Sequence, residues 1–219
     1  MGPVQCQVDA GDRPRNLAQD PNAGASRLQA PPNGIPAQDM RLTDILTEDR
    51  VRVAWHRDGI KTMPETLDAV ARMFATATPK STEDIRKHAR NAYRVNANVT
   101  ATPKNAEDIR KVLIDREHLQ STGIGDGVAI PHGAMDMVEA QTAAVLLCPD
   151  GIDFHSIDDR PVQIVVGVLG PRRATGEHLR MLARISRLLR DGSVRRSLLE
   201  SVDGAAAFAV IQRAEEDRL

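Results

Sequence analysis

Apolar and polar positions divide the chain into stretches of different kind. Residues 1–39 show no apolar periodicity and are crowded with Pro, Gly, Asn, Gln and Asp, as in Pro21-Asn22-Ala23-Gly24 and Pro31-Pro32-Asn33-Gly34. Such a segment buries too little surface to offset the entropy of ordering, and it reads as a disordered leader. From Met40 the pattern becomes periodic. Leu42, Ile45 and Leu46 fall at helical spacing, and Val51–Trp55 reads as a short strand. Pro64–Phe74 sets Leu67, Val70, Ala71 and Phe74 on one face of a helix that opens at a proline. Ala143–Leu147 and Val162–Leu169 are continuous apolar runs of strand length, as expected of strands buried on both faces. Glu177–Arg190 predicts an amphipathic helix whose apolar side holds Leu179, Leu182, Ala183, Ile185, Leu188 and Leu189, with Gly192 placed to end it. Val194–Val202 and Ala205–Ala214 predict two more helices. Strands alternating with helices define an α/β (α+β) class: a mixed β-sheet flanked by helices.

A local duplication interrupts this order. Ala77-Thr78-Pro79-Lys80, leading to Glu83-Asp84-Ile85-Arg86-Lys87, recurs as Ala101-Thr102-Pro103-Lys104, leading to Glu107-Asp108-Ile109-Arg110-Lys111. Both copies read as helix starts, with Ser81 or Asn105 as cap and acidic residues in the first turn. The second copy carries Ile109, Val112, Leu113 and Leu119 toward a core. The first has little beyond Ile85 and Ala89 before an Asn-rich stretch, so residues 81–100 read as a surface insertion. Two copies are too few for a solenoid. The expected organisation is a leader over 1–39 and one domain over 40–215.

Composition narrows the function classes. Across 219 residues, 29 Lys and Arg balance 30 Asp and Glu. That balance leaves no electrostatic footprint for nucleic acid or an anionic membrane. With three Phe, one Trp and one Tyr, base-stacking platforms are not expected. Cys6 and Cys148 have neither CxxC nor metal-ligand spacing, so no disulfide scaffold and no metal site are predicted. No apolar run reaches membrane-span length and no secretory signal pattern opens the chain, which points to a cytoplasmic protein.

The chemistry concentrates between Arg116 and Gly133. Gly123, Gly125 and Gly127 alternate, permitting positive φ and close backbone approach. Their amides are suited to an anion-binding nest, with Ser121 and Thr122 adding hydroxyls. Val128–Ile130 is apolar and extended, and the residue before Pro131 is held extended. His132 then sits at a strand end, and Gly133 after it leaves the ring uncrowded. A neutral imidazole there is a competent nucleophile, its ordinary pKa being about 6.5. The motif matches neither a Walker loop nor a dinucleotide fingerprint. On these residues alone, a structural histidine and a reactive one both stay open.

The stretch from Arg116 through Ser121-Thr122-Gly123-Ile124-Gly125 to Ile130-Pro131-His132-Gly133 resembles the signature of the type-2 IIA domains of the bacterial phosphotransferase system. These are the fructose and mannitol IIA domains and the nitrogen-regulatory IIA protein. The likeness continues through Gly151-Ile152-Asp153-Phe154, Ile157–Val162, Pro171 and His178-Leu179, and spans about Met40 to Ala214. It implies that His132 is the phosphorylated histidine, that His178 is a second active-site histidine beside it, and that Arg116 steadies phosphoryl charge. It further implies that Ser121, Thr122 and Gly123 form the loop beside the site. No cofactor or metal is implied. The implied partners are an HPr-like phosphocarrier and either regulatory target proteins or a IIB subunit. The longer spacing before the glycine signature departs from the family by about one copy of the repeat. A stand-alone nitrogen-regulatory IIA protein is the leading expectation, because nothing in the chain resembles a IIB, IIC or fused carrier domain. A sugar-uptake IIA component and a non-catalytic interaction module are the alternatives.

His155 among Asp153, Asp158 and Asp159 reads as a solvated turn rather than a metal site. Arg180, Arg184 and Arg187 read as a solvated helix face, and His56, His88 and His118 as surface residues.

Overall fold

The computed structural model describes residues 40–76 and 103–217 apart from 137 and 139, together with Gly2. The expected leader and the expected insertion at 81–100 lie outside the described residues.

The sheet is mixed and three layers deep with its helices. Strands β1 (Leu46–Val53), β2 (Gly123–Gly125), β3 (Val128–Ala129), β4 (His132–Met135), β5 (Thr142–Ile152) and β6 (Val162–Pro171) run in the order β1-β5-β6-β3-β2. β5 and β6 form the antiparallel centre, and β1 lies parallel to β5. The other edge of β6 is shared end to end: β3 pairs with its first half and β4 with its second, both parallel. His132 stands opposite Val168 in that register.

The apolar runs of β5 and β6 serve two cores at once. Ala143, Val145 and Leu147 pack with α3 (Thr175–Leu189), α4 (Gly192–Leu199) and α5 (Gly204–Glu216). The intervening Ala144, Leu146 and Cys148 pack with α1 (Met63–Thr76) and α2 (Pro103–Leu119). Side chains of a strand alternate between faces, so a strand covered on both sides needs an unbroken apolar run.

Two glycines let the α1–α2 layer sit close. A Cβ at Gly167 of β6 would stand 2.5 Å from Val70 Cγ1, and one at Gly133 of β4 would stand 2.4 Å from Val112 Cγ1. Gly133 therefore admits helix α2 to the sheet rather than clearing space for the His132 ring. On the opposite layer, Glu215 is buried and accepts from Leu42 N at 2.7 Å, Thr43 N at 3.0 Å and Thr43 Oγ1 at 2.7 Å. This carboxylate fastens the 3-10 turn Leu42–Asp44 to the last helix.

Several sequence expectations are corrected. Leu42 and Ile45 belong to the 3-10 turn and its end, and Leu46 already opens β1. Asn105 lies inside α2, which begins at Pro103. Leu119 ends that helix at the surface, 82% exposed, instead of facing a core. In α3 the buried positions are Met181, Ile185, Leu188 and Leu189, while Leu179 is 61% exposed and Ala183 is also exposed. Gly192 does not end α3; it begins α4, for which Asp191 is the cap, accepting from Ser193 N. Two adjoining helices with so short a cap between them leave no room for a separate stop signal. Helix α4 then ends at Leu199, leaving Val202 exposed.

Candidate functional site

The geometry around His132 begins with Pro131. Having no N–H, Pro131 divides β3 from β4, while its carbonyl accepts from Val168 N at 2.9 Å and keeps the chain on β6. His132 Nδ1 lies 2.9 Å from the Ile130 carbonyl oxygen. A carbonyl only accepts, so Nδ1 carries the proton. On the other side of the ring, Arg116 Nε donates to His132 Nε2 at 3.1 Å. A guanidinium only donates, so Nε2 carries a lone pair. Two independent contacts thus define one neutral tautomer with its electron pair at Nε2. Burial is the main influence pulling the His132 pKa below its ordinary 6.5; the Ile130 carbonyl opposes it, Arg116 adds to it, and Glu117 opposes it. The ring is consequently neutral, and nucleophilic, at physiological pH.

Arg116 is placed by helix α2. Its Nη1 also donates to the Gln120 carbonyl at 2.9 Å, steadying the side chain against the end of its own helix. The neighbouring Glu117 is buried and turns the opposite way. It accepts from Thr122 N at 2.8 Å, and the Thr122 hydroxyl donates to its other oxygen. Thr122 in turn accepts at its carbonyl from Ile130 N at 3.0 Å. One helical turn therefore holds both the ring of His132 and, through Thr122, the backbone beside it.

His178 lies in the first turn of α3, where its N–H donates to the Ala174 carbonyl at 3.0 Å. Its ring centroid is 5.6 Å from that of His132, with the rings inclined at 52°. Burial, then the neighbouring His132, pulls its pKa down to about 4. Both rings are neutral near pH 7, which removes the repulsion that two imidazolium ions at this separation would suffer.

The structure thus brings together Arg116, His132 and His178. The Ser121–Gly123 segment serves differently from a free donor loop. Ser121 Oγ lies 3.4 Å from the Phe154 carbonyl and accepts from Gly123 N at 3.2 Å, and the amide and hydroxyl of Thr122 are both engaged by Glu117. A Cβ at Gly123 would meet Ser156 Cα at 2.7 Å, so this glycine is needed for close packing. Asp126 and Gly127, at φ 55° and 74°, make the tight turn between β2 and β3. Two successive positive φ values suit an Asp-Gly hairpin turn. The Asp126 amide donates to Asp158 Oδ2 at 2.9 Å, so the alternating glycines shape a hairpin rather than an open nest.

Two residues of this region escaped sequence reasoning, Glu117 and Gln141. A buried carboxylate inside a helix carries no distinctive spacing, although its place beside Arg116 was a usable signal. Gln141 had none. Among the described residues, no group of three or more His, Cys, Asp or Glu is arranged to hold a metal, and no helix is long and apolar enough to cross a membrane. Burial pushes the Cys148 thiol up to about 12, which makes it inert as a nucleophile.

A mixed sheet with a paired-histidine site at its β4 edge can now be set beside known proteins. The model of the family "Phosphoenolpyruvate-dependent sugar phosphotransferase system, EIIA 2" matches residues 94–214, more than half of the chain. The chain belongs to this family of phosphotransferase-system IIA proteins. A nitrogen regulatory protein of Bradyrhizobium diazoefficiens is 42% identical over 101 residues, covering 46% of this chain and 66% of that protein. One from Pseudomonas aeruginosa is 35% identical over 99 residues, covering 45% of this chain and 64% of that protein. The chain spans slightly less than two thirds of the length of these curated relatives. The crystal structure of the nitrogen regulatory protein IIA-Ntr from Neisseria meningitidis superposes with a TM-score of 0.58 at 26% identity, covering 77% of this chain and 97% of that one. That coverage exceeds what residues 94–219 supply, so elements before residue 94 share the fold although the family model does not reach them.

Proposed function

We propose that the protein is a phosphoryl carrier of the phosphoenolpyruvate-dependent phosphotransferase system that takes a phosphoryl group onto Nε2 of His132. The observation that carries this reading is the tautomer of His132: Nδ1–H held by the Ile130 carbonyl and a lone pair at Nε2 facing Arg116.

The step follows from that arrangement. The Nε2 lone pair attacks phosphorus of a phosphohistidine on an HPr-like carrier. A new N–P bond forms at His132, the donor N–P bond breaks, and its electron pair returns to the departing imidazole. No proton leaves Nε2, since none is there. The ring gains positive character, and the Ile130 carbonyl accepts the Nδ1–H that bears it. Arg116 shifts its donors from Nε2 to the phosphoryl oxygens, where forked charge-assisted hydrogen bonds are strongest. His178 supplies a further donor, and no metal or nucleotide takes part. Ser121, Thr122 and Gly123 support the site by shaping its loop.

The 42% and 35% identities to nitrogen regulatory proteins favour that branch. The phosphorylation state of His132 would then control regulatory target proteins. A second reading has one specific support: the fructose-specific EIIA component of Haloferax volcanii is 38% identical over 89 residues, covering 41% of this chain and 58% of that protein. Under that reading the phosphoryl group passes to a IIB subunit. Exposed Leu119, one turn beyond Arg116, and exposed Leu179, next to His178, supply apolar surface for a partner under either reading. The same proposal includes residues 40–215 as the IIA domain, residues 1–39 as a leader, residues 81–100 as an insertion, and a cytoplasmic location.

The test is incubation of the full chain with phosphoenolpyruvate, enzyme I and the carrier, followed by mass spectrometry under conditions that preserve acid-labile phosphohistidine. One phosphoryl group on His132 is expected. An unmodified chain, or a group on another residue, overturns the proposal. Onward transfer to a purified IIB subunit, measured in the same assay, separates the sugar reading from the regulatory one.

A further inference from the structure

Gln141 is 9% exposed, yet neither atom of its amide, Nε2 nor Oε1, has a hydrogen-bond partner. His178 Nδ1 is buried in the same condition. Among the described residues only Arg50 Nε joins them. Leaving such groups unpaired is costly, and an apolar side chain in place of Gln141 would avoid its share of the cost.

The orphan groups share one location. Gln141 immediately precedes β5, whose first residue, Thr142, stands opposite Leu169 of β6. The next residue of β6 is Gly170. A Cβ built on Gly170 would stand 3.0 Å from His178 Nδ1 and 3.4 Å from Gln141 Cγ. The missing methyl is thus the space over which the two side chains approach each other. The amide of Gln141 is carried directly on that Cγ, so it lies beside the same gap as the ring nitrogen.

We infer that Gln141 is a positioning residue of the phosphoryl site, its amide NH2 donating to Nδ1 of His178 and so holding the His178 proton on Nε2, the nitrogen then able to donate to an anion carried by His132. The inference rests on the phosphoryl-carrier reading of His132. The two histidines are thereby set as opposite tautomers. His132 turns an electron pair toward the incoming group, and His178 turns a proton toward it. A ring free to choose its tautomer would present a lone pair to the phosphoryl oxygens for part of the time, and repel them. Gly170 and Gln141 together remove that choice.

Two-bond proton–nitrogen correlation spectra of the histidine rings, recorded on the nitrogen-15-labelled full chain, read the tautomers directly. In the wild type His178 is expected with its proton on Nε2 and His132 with its proton on Nδ1. Gln141→Met keeps the length and removes the donor. Gly170→Ala inserts a methyl between the partners. Each is expected to mix the His178 tautomers while leaving the His132 pattern unchanged, which also shows that the site remains folded. Phosphoryl transfer from the carrier is expected to slow about tenfold in Gln141→Met, equivalent to about 1.4 kcal/mol. A wild-type His178 protonated on Nδ1 overturns the inference. So does a His178 pattern identical in wild type and both variants. A wild type that takes no phosphoryl group would sink the carrier reading alone, whereas an unmoved His178 tautomer in a chain that labels normally would sink this inference alone.

Discussion

The two histidines lie 5.6 Å apart and are held in contrasting ways. His132 has a fixed partner at each nitrogen, one from the backbone and one from helix α2. His178 has its inner nitrogen buried without a bond and its pKa pulled down to about 4. Under the proposed function, the two rings divide the labour. A nucleophile benefits from complete preorganisation, because any reorientation adds to the barrier. Under the same reading, a group that grips the phosphoryl unit and then releases it benefits from leaving its outward-facing bond to be made when the anion arrives.

The largest effect expected from breaking this contrast is His132→Ala, which should abolish acid-labile labelling while far-UV circular dichroism stays unchanged. Label retained at another residue would contradict the assignment. Arg116→Ala should come next, slowing transfer from the carrier by about 10²-fold to 10³-fold, the usual cost of removing one preorganised charged donor. Arg116→Lys should rescue little of this in rapid-quench assays, because a point charge cannot reproduce the Nε–H contact and the fork. Glu117→Ala should lower stability by about 1–3 kcal/mol, since it leaves the buried amide and hydroxyl of Thr122 without an acceptor. Urea denaturation checks this, and an unchanged midpoint would refute the supporting role.

His178→Ala should slow transfer by about tenfold to 10²-fold, one lost hydrogen bond to a charged group being worth about 1.5–3 kcal/mol. The same variant should also carry a pH signature. The folded pKa of His178 lies below its ordinary 6.5, at about 4. Between those values the unfolded chain binds a proton that the folded chain refuses, so stability must fall as pH falls through that window. Thermal melts from pH 7 down to pH 4 should show a smaller acid-induced loss in His178→Ala than in the wild type. Equal losses would place the acid sensitivity elsewhere.

The central strands were legible because their apolar runs are unbroken: neighbours such as Ile164 and Val165 feed opposite cores in turn, so neither face calls for a polar residue. The candidate site was legible as a place because Gly123, Pro131 and His132 are each residue types with few equivalents. Other features depend on what lies across space. Leu119 and Leu179 fit an apolar period yet fall near helix ends beside the site, where no layer among the described residues covers them. Gly133 looked like room for a ring and proved to be room for Val112. Gly192 has the composition of a helix stop and the location of a helix start, a choice made by the cap at Asp191. Glu117 and Gln141 are polar residues placed by three-dimensional neighbours, Thr122 for the first and the gap beside His178 for the second, and periodicity is silent about both.

The acceptor that fixes the His132 proton is a main-chain oxygen, that of Ile130. No codon specifies it, so no single substitution deletes it. Side chains around the ring can be exchanged by mutation, while under the proposed function the choice of reacting nitrogen is inherited with the peptide bond itself.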